Sequence, residues 1–486
     1  MLHMTARKPV RWVVCLGAAL LALTFFGLLL DVPSAASDMR VVSLSMLLGL
    51  LVVAASVYFA AVHLILRCAW PRGTVWIVLG VAIALRLLLL ATPPILSSDI
   101  YRYVWDGRVQ AAGINPYRYV PADPALASLR DPVVYPRINR ADYARTIYPP
   151  VAEVVFAVTG RVSDSVSGMR LMMLGFEAVG IICLLRLLPL AGLPRERILI
   201  YAWNPLALWS FANDGHVDAI AVGLLGLALL LRARHNDGWA GAALAGAVLT
   251  KFFPLVAVPA FLRGGRFWRP ALAGLLVVGC GYGLYSGAGL RVLGFLPSYG
   301  QEEGFGSGTG FWALAGLATL VALPSSAVLL YAAVVAVALL ALAVWILWQP
   351  TPANDAQALC RDTGLLAAAA MAATSPHYHW YFAWLALPAV VAPSRALLWL
   401  ATAPLLLIQE PVPGDRFFWP SLIYVPAILL LLADLRPWIA IKLRRGAETG
   451  EHRVHCDCTE GPAPLLRGNR RRSLRGRRTT PGLPLS

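Results

Sequence analysis

Residues Val41 to Leu66 read VVSLSMLLGLLVVAASVYFAAVHLIL, a run with no Asp, Glu, Lys or Arg that is closed by Arg67. A helical crossing of a bilayer core needs about 20 consecutive apolar residues, so this run is a membrane span. The rest of the chain agrees. Of its 486 residues 59% are hydrophobic and 14% charged, with a mean hydropathy of +0.68, whereas a soluble domain carries about 25% charged residues. No strand-like alternation appears over segments of about 10 residues, and in lipid only helices and closed barrels satisfy the backbone. The sequence therefore predicts an all-α fold, a polytopic transmembrane helical bundle.

Working outward, Trp12 to Leu30 follows Arg7, Lys8 and Arg11 and reads as an uncleaved first span with a cytoplasmic N-terminus, with Ser34-Ala35-Ala36 as the alternative cleavage site. Thr74 to Thr92 is a third span that delivers Asp99 to the outside, opening a large external loop over 93–150. Val151 to Val162 is too short to cross and is expected to be re-entrant or interfacial. Gly168–Leu190, Ile198–Ala212 and Val217–Leu231 continue the bundle. Trp239 to Leu262 is flanked by basic residues at both ends and interrupted by Lys251 and Pro254, so a broken helix or hairpin is expected, with Lys251 towards the cytoplasmic side. The loop Arg291–Gly310, with Glu302 and Glu303, reads as external and mobile. About 12 crossings, with both termini inside, place nearly every basic loop in the cytoplasm. Residues 1–445 form the membrane domain, and 446–486 an Arg/Gly/Pro/Ser-rich tail expected to be disordered and cytoplasmic.

The formal charge of +16 follows the same logic. Eleven basic residues against four acidic ones lie from Lys442 onward, and other arginines sit in short loops between apolar runs. That is the positive-inside pattern plus a basic tail, and it excludes nucleic acid as a partner, since no folded basic domain accompanies it. Seven cysteines scattered through apolar runs and the tail make no disulfide framework. The tail cluster His452, His455, Cys456 and Cys458 has metal-ligand residue types but lacks a second spaced pair.

Chemistry concentrates where hydropathy breaks. Ser98-Asp99-Ile100-Tyr101-Arg102-Tyr103-Val104-Trp105-Asp106-Gly107-Arg108 packs acids, arginines and aromatics at a density unmatched elsewhere. Asp99 suits a general base, a metal ligand or a helix N-cap. On a helix from Ile100, Arg102 and Asp106 share one face and Tyr101, Trp105 and Arg108 another. A helix along the bilayer surface would offer guanidinium donors to phosphate and aromatics to a sugar; an ordinary interfacial belt is the alternative. Asn115-Pro116-Tyr117 and Tyr148-Pro149-Pro150 are rigid turns. Glu153 sits in the first turn of the short helix that follows, where burial is costly but the helix dipole helps. Asp214, His216 and Asp218 lie between two predicted spans on the outer side, and Lys251 is an intramembrane cation. His377-Tyr378-His379-Trp380-Tyr381 marks another outer junction, suited to a phosphate and a ring.

Taken in order, Asp99 through Arg108, Asn115-Pro116-Tyr117, Thr146-Ile147-Tyr148-Pro149-Pro150, Gly215-His216-Val217-Asp218, Lys251-Phe252-Phe253-Pro254 and His377-Tyr378-His379-Trp380-Tyr381 resemble the multi-spanning glycosyltransferases of the C superfamily. The similarity is greatest to bacterial polyprenol-phosphate-mannose-dependent α-mannosyltransferases and their relatives, and it covers roughly residues 70 to 430. The resemblance implies a polyprenyl-phosphate sugar donor, mannose before other hexoses, and a glycan or lipid acceptor at the outer face of the cytoplasmic membrane. It implies Asp99 as the catalytic carboxylate, acting with inversion. Arg102, Arg108 or His377 would neutralise the departing phosphate, and Asp106 would hold Arg102. Tyr103, Trp105, Asn115, Tyr117, Tyr148, Glu153, Asp214, His216, Asp218, Lys251, Tyr378 and His379 complete the expected substrate-binding set. A single acid opens the motif, without the acid pair of many relatives, so no residue is assigned as a metal ligand; a divalent ion, Mg or Mn, is the one cofactor compatible with such a site. A transporter or flippase of lipid-linked sugars is the alternative class, but it does not call for an acid–aromatic–arginine loop of about 55 residues outside the bilayer.

Overall fold

The computed structural model describes residues 7–32, 38–324, 326–408 and 417–434. The candidate cleavage site at Ser34 to Ala36 and the tail, 446–486, lie outside the described residues. The fold is all-helical, 73% helix, with no strand among the described residues. Among the described residues four helices are long and apolar enough to cross a membrane: Pro9–Leu28, Met39–Arg67, Val166–Leu190 and Ser326–Leu347. The pair Trp268–Leu284 and Ser286–Glu302, bent by 107°, would make a fifth. Thr74–Leu90, Phe253–Leu262, Arg395–Ile408 and Phe418–Asp434 are apolar but shorter. Several of the 12 expected crossings fall on apolar runs that fold as shorter or broken helices, which length and composition alone do not mark as spans.

Residues Ile198 to Ala212 illustrate the point. Read as one span, they form a turn at Arg195–Ile198, short helices Leu199–Ala202 and Pro205–Leu208, and a π-helical turn Trp209–Asn213. Asn204 accepts from the Ala207 amide and Pro205 cannot donate to the preceding turn, so the helix stops and restarts there. The Trp239–Leu262 run breaks as expected: a helix ends at Val248, and a tight turn Phe253–Ala257 leads into Val258–Leu262.

The elements that position the site are α1 (Arg7–Leu28), α2 (Asp38–Arg67), α3 (Thr74–Leu90), α4 (Asp99–Ala111), α5 (Pro150–Val162), α6 (Val166–Leu190), α7 (Asp218–Ala233), α8 (Asp237–Val248) and α9 (Trp268–Leu284). They continue with α10 (Leu296–Glu302), α11 (Ser326–Leu347) and α12 (Ala356–Thr374). Helix α7 is buried on nearly every side, and Gly223 lets it approach α6 so closely that a Cβ there would strike the Phe176 carbonyl. Small residues at helix contacts are the usual means of close packing in membranes. Polar ties add direction. Arg86 of α3 makes a bidentate pair with Glu177 of α6, at 2.8 and 2.7 Å. Arg170 of α6 donates to the carbonyls of Leu89, Leu90, Thr92 and Ala212, tying the end of α3 and the turn before Asn213 to α6. In contrast α11 has a single buried residue, Ile346, so its apolar surface is left for lipid.

Helices α4 and α5 are the pair that matters most. Neither reaches spanning length, and they cross with Gly107 against Gly160, where a Cβ on Gly107 would lie 2.5 Å from the Phe156 carbonyl oxygen. The surface-lying amphipathic helix expected for 99–111 is instead nearly enclosed. Arg102, Tyr103, Trp105 and Asp106 are all buried, because α5, the 112–149 loop and α6 cover it on several sides.

Candidate active site

Asp99 is the first residue of α4, and its carboxylate does not cap the helix. Oδ1 accepts from Asn139 Nδ2 at 2.9 Å, and Oδ2 faces His216 Nδ1 at 3.9 Å. The side chain is 22% exposed and lines a cavity of about 480 Å³. Burial pushes its pKa up, opposed by the Asn139 hydrogen bond and by the charges of Lys251, Arg140 and Arg102. A carboxylate so placed is a stronger base than one in water.

His216 arrives by a separate route. The π-helical turn Trp209–Asn213 widens the coil to i→i+5 bonding, and Gly215 turns it at φ +68°, a conformation favouring glycine. Asp214 fixes the turn by accepting from the amides of Ile95 and Leu96, at 3.2 and 2.9 Å. The His216 ring stacks on Trp380 with centroids 4.0 Å apart, and its Nδ1 is 3.5 Å from Tyr103 Oη. Burial first, then Lys251 and His379, hold its pKa well below the usual range, so it is neutral at pH 7. It orients; it does not bring positive charge.

Cations line the same cavity, which answers the placement of Lys251. Its expected separation from Asp99 is corrected: the break after α8 turns it into the Asp99 cavity, where Nζ is 2.7 Å from Asp218 Oδ2 and 3.9 Å from the centre of the Tyr381 ring. Arg102 grips Asp106 through Nε, at 2.9 and 3.0 Å, and donates from Nη1 to the Ala144 carbonyl, leaving Nη2 without a protein partner among the described residues. The i, i+4 pairing expected for these two residues is therefore present. Arg140 pairs with Glu302 at 2.8 Å, and Arg145 lines the cavity with a backbone carbonyl as its partner. His377 Nδ1 meets Glu303 Oε2 at 3.1 Å, and Tyr378 stacks on Trp380.

Most of the remaining expected residues support this wall from outside the cavity. Glu153 accepts from Thr146 Oγ1 at 2.5 Å and from Gln110 Nε2 at 2.8 Å, and Tyr285 donates to Gln110. Glu153 and Asp106 also share a hydrogen bond; burial first and the Asp106 charge second hold the Glu153 pKa well above the usual carboxylate range. Tyr103 stacks on Phe156, Trp105 packs on Tyr135, Tyr117 donates to the Tyr148 carbonyl at 2.6 Å, and Asn115 closes its turn through the Tyr117 amide. Tyr148 lines the cavity, whereas His379 is buried edge-on to Trp380. Arg108 does not face the cavity. It lies six residues after Arg102, roughly 240° around the helix, where it binds Asp131, Asp164 and the Leu129 carbonyl.

Several residues of the cavity carry no motif in the sequence: Asn139, Arg140, Arg145, Tyr299 and Glu303. The Arg291–Gly310 segment, expected to be mobile, contributes α10, whose Tyr299 hydroxyl is 2.8 Å from that of Tyr381. Among the described residues no group of three or more His, Cys, Asp or Glu side chains is arranged around a metal position.

A half-buried carboxylate, several cations and an aromatic wall thus share one cavity in a bundle with several apolar helices, the outline of a membrane protein with a candidate site for polar chemistry. The comparisons give the class its name. A family model for the N-terminal domain of alpha-(1->6)-mannopyranosyltransferases of the MptA/B family matches residues 12–263, more than half of the chain, and the chain belongs to that family. Membership makes it a membrane glycosyltransferase, with a sugar donor and a glycan or lipid acceptor. No curated protein and no solved structure matches the chain.

Proposed function

We propose that the protein transfers mannose from a polyprenyl-phosphate donor to a glycan or lipid-linked acceptor at the outer face of the cytoplasmic membrane, with inversion, in the manner of C-superfamily enzymes with about 12 crossings. The observation that carries this reading is the company of Asp99: a half-buried carboxylate without a charged partner at ion-pair distance among the described residues, in a cavity shared with Arg102, Arg140, Arg145 and Lys251. Asp99 takes the proton of the acceptor hydroxyl as its oxygen bonds to C1 of the sugar. The C1–O bond to phosphate breaks, and its electron pair leaves with the polyprenyl phosphate. Arg102 Nη2, Lys251 and Arg145 receive the growing charge, where fixed cations contribute most. Asn139 and His216 hold the carboxylate and its surroundings in place. Phe252, Phe253, Leu296 and Phe305 on the same wall suit the first isoprene units. Confining the donor to the bilayer lowers the entropic cost of the encounter.

The test is transfer from polyprenyl-phosphate mannose, glucose or arabinose in isolated membranes by the wild type and Asp99→Asn. Removing a general base lowers rates by about 10²–10⁴-fold. A new mannosylated product that the correctly inserted variant fails to make supports the reading. Full activity of the variant overturns the role of Asp99, and silence of both proteins with every donor overturns the transfer itself.

A further inference from the structure

Behind α10, as seen from Asp99, lies a second, open cavity of about 600 Å³, lined by Tyr143, Arg145, Phe295, Ser298, Gln301 and Glu302. Helix α10 is the partition. Leu296, Tyr299 and Glu303, at i, i+3 and i+7, face the Asp99 cavity, whereas Ser298, Gln301 and Glu302, at i, i+3 and i+4, face the second. The two cavities meet at Arg145 and Phe295, which line both. They are also tied by adjacent residues of one loop: Asn139 donates to Asp99 and Arg140 to Glu302.

Their linings differ in chemistry. The Asp99 cavity has phenylalanines, leucines and several cations, which suits a lipid phosphate. The second has no aliphatic side chain for an acyl chain to pack on, and its Glu302 carboxylate is already compensated by Arg140. What it offers is an aromatic platform, with Tyr143 59% exposed and set edge-on to Phe295 at 5.6 Å. Around that platform stand an amide, a carboxylate, a hydroxyl and a guanidinium. A pyranose presents the complement: a C–H face that packs on aromatic rings and a rim of vicinal hydroxyls that pair with planar bidentate groups.

We propose that this second cavity is the acceptor subsite, which holds the terminal pyranose units of a glycan and passes the reactive hydroxyl by Phe295 to Asp99. The proposal rests on the transfer reading for its purpose, but its binding chemistry can be measured without catalysis. Titrate α-(1→6)-linked mannotriose into the full-length protein in detergent micelles and compare Tyr143→Ala and Gln301→Ala with the wild type. Both positions belong to an open surface, so neither change threatens the fold. Loss of one aromatic contact or one bidentate amide should weaken binding about five- to tenfold, and Asp99→Asn should bind as the wild type does. In the transfer assay the same two variants should raise the acceptor KM and leave the donor KM unchanged. A wild type that does not bind the trisaccharide, or two variants that bind it undiminished, overturns the subsite. Binding that depends on Tyr143 in a protein that transfers no sugar would leave the glycan site standing and remove the transfer reading instead.

Discussion

Gly107→Ala tests whether the α4–α5 crossing sets the catalytic geometry. The new methyl carbon would sit 2.5 Å from the Phe156 carbonyl oxygen, 3.2 Å from its carbon and 3.4 Å from the Gly160 Cα. These are backbone atoms and cannot rotate aside. Restoring an ordinary contact of about 3.4 Å requires the helices to part by roughly 0.9 Å. Overpacking of this kind costs about 1–3 kcal/mol, offset in part by up to about 1 kcal/mol from the better helix propensity of alanine. Net destabilisation of about 1–2 kcal/mol leaves the protein folded. Activity should suffer more than stability, because α4 carries Asp99 and Arg102, and the first turn of α5 carries Glu153. A misplacement of about 1 Å is worth roughly 10²-fold in rate, so kcat should fall about 10- to 100-fold while thermal unfolding in detergent shifts by a few degrees. The control is Gly175→Ala in α6, where an added Cβ meets nothing within 4 Å; it should match the wild type in both assays. If Gly107→Ala keeps its kcat within a factor of two, the crossing does not set the site geometry.

Other expectations follow from the same contacts. Because Asp99 is raised by burial and pulled down by Asn139, activity should be lost as pH falls through a value above the ordinary carboxylate range; Asn139→Ala should move that acidic limb to higher pH, and an unmoved or lowered limb would count against Asp99 as the base. Glu153→Gln copies the neutral acid and should retain most activity, whereas Glu153→Ala leaves Thr146, Gln110 and Asp106 unsatisfied, at about 1–3 kcal/mol for each buried group, and should raise the donor KM through a loosened Arg102; equal behaviour of the two variants in steady-state assays would contradict this. Glu177→Ala strands the buried Arg86 and should cost about 3–5 kcal/mol, while replacing both partners with apolar residues should recover much of the loss in a thermal unfolding comparison.

The parts of this arrangement that could be read from the chain were those with a local signature. A run such as Val41 to Leu66 marks a span by length alone. The abrupt change at Ser98 marks the start of the cavity wall, and the i, i+4 spacing of Arg102 and Asp106 marks their pairing. What could not be read depends on partners distant in sequence. Basic residues flank both ends of Trp239–Leu262, so the charge pattern turned Lys251 inward; Asp218, 33 residues away, compensates its charge and draws it to the site. Glu303 sits in a glycine-rich segment that looks mobile until His377, 74 residues on, is placed against it. Asn139 has no pattern at all, since a single amide reaching back 40 residues to Asp99 leaves no periodicity.

The pairings also bear on the proposed choice of Asp99, among the acids near the cavity, as the base. Asp218 is held by Lys251, Asp106 by Arg102 and Glu302 by Arg140, while Glu303 is held by the His377 imidazole. Burial raises the Asp106 and Asp218 carboxyls as it does Asp99, but each of those two is opposed by the cation it binds, so protonating it also gives up an ion pair. Asp99 has one neutral amide donor and a neutral imidazole 3.9 Å away. Its proton can therefore come and go without breaking a salt bridge, and the surrounding cations act on it only at a distance. A phosphate entering beside Arg102 and Lys251 would cancel part of that distant field and raise the basicity of Asp99 further. Binding of the donor would then prepare the base before the acceptor hydroxyl arrives.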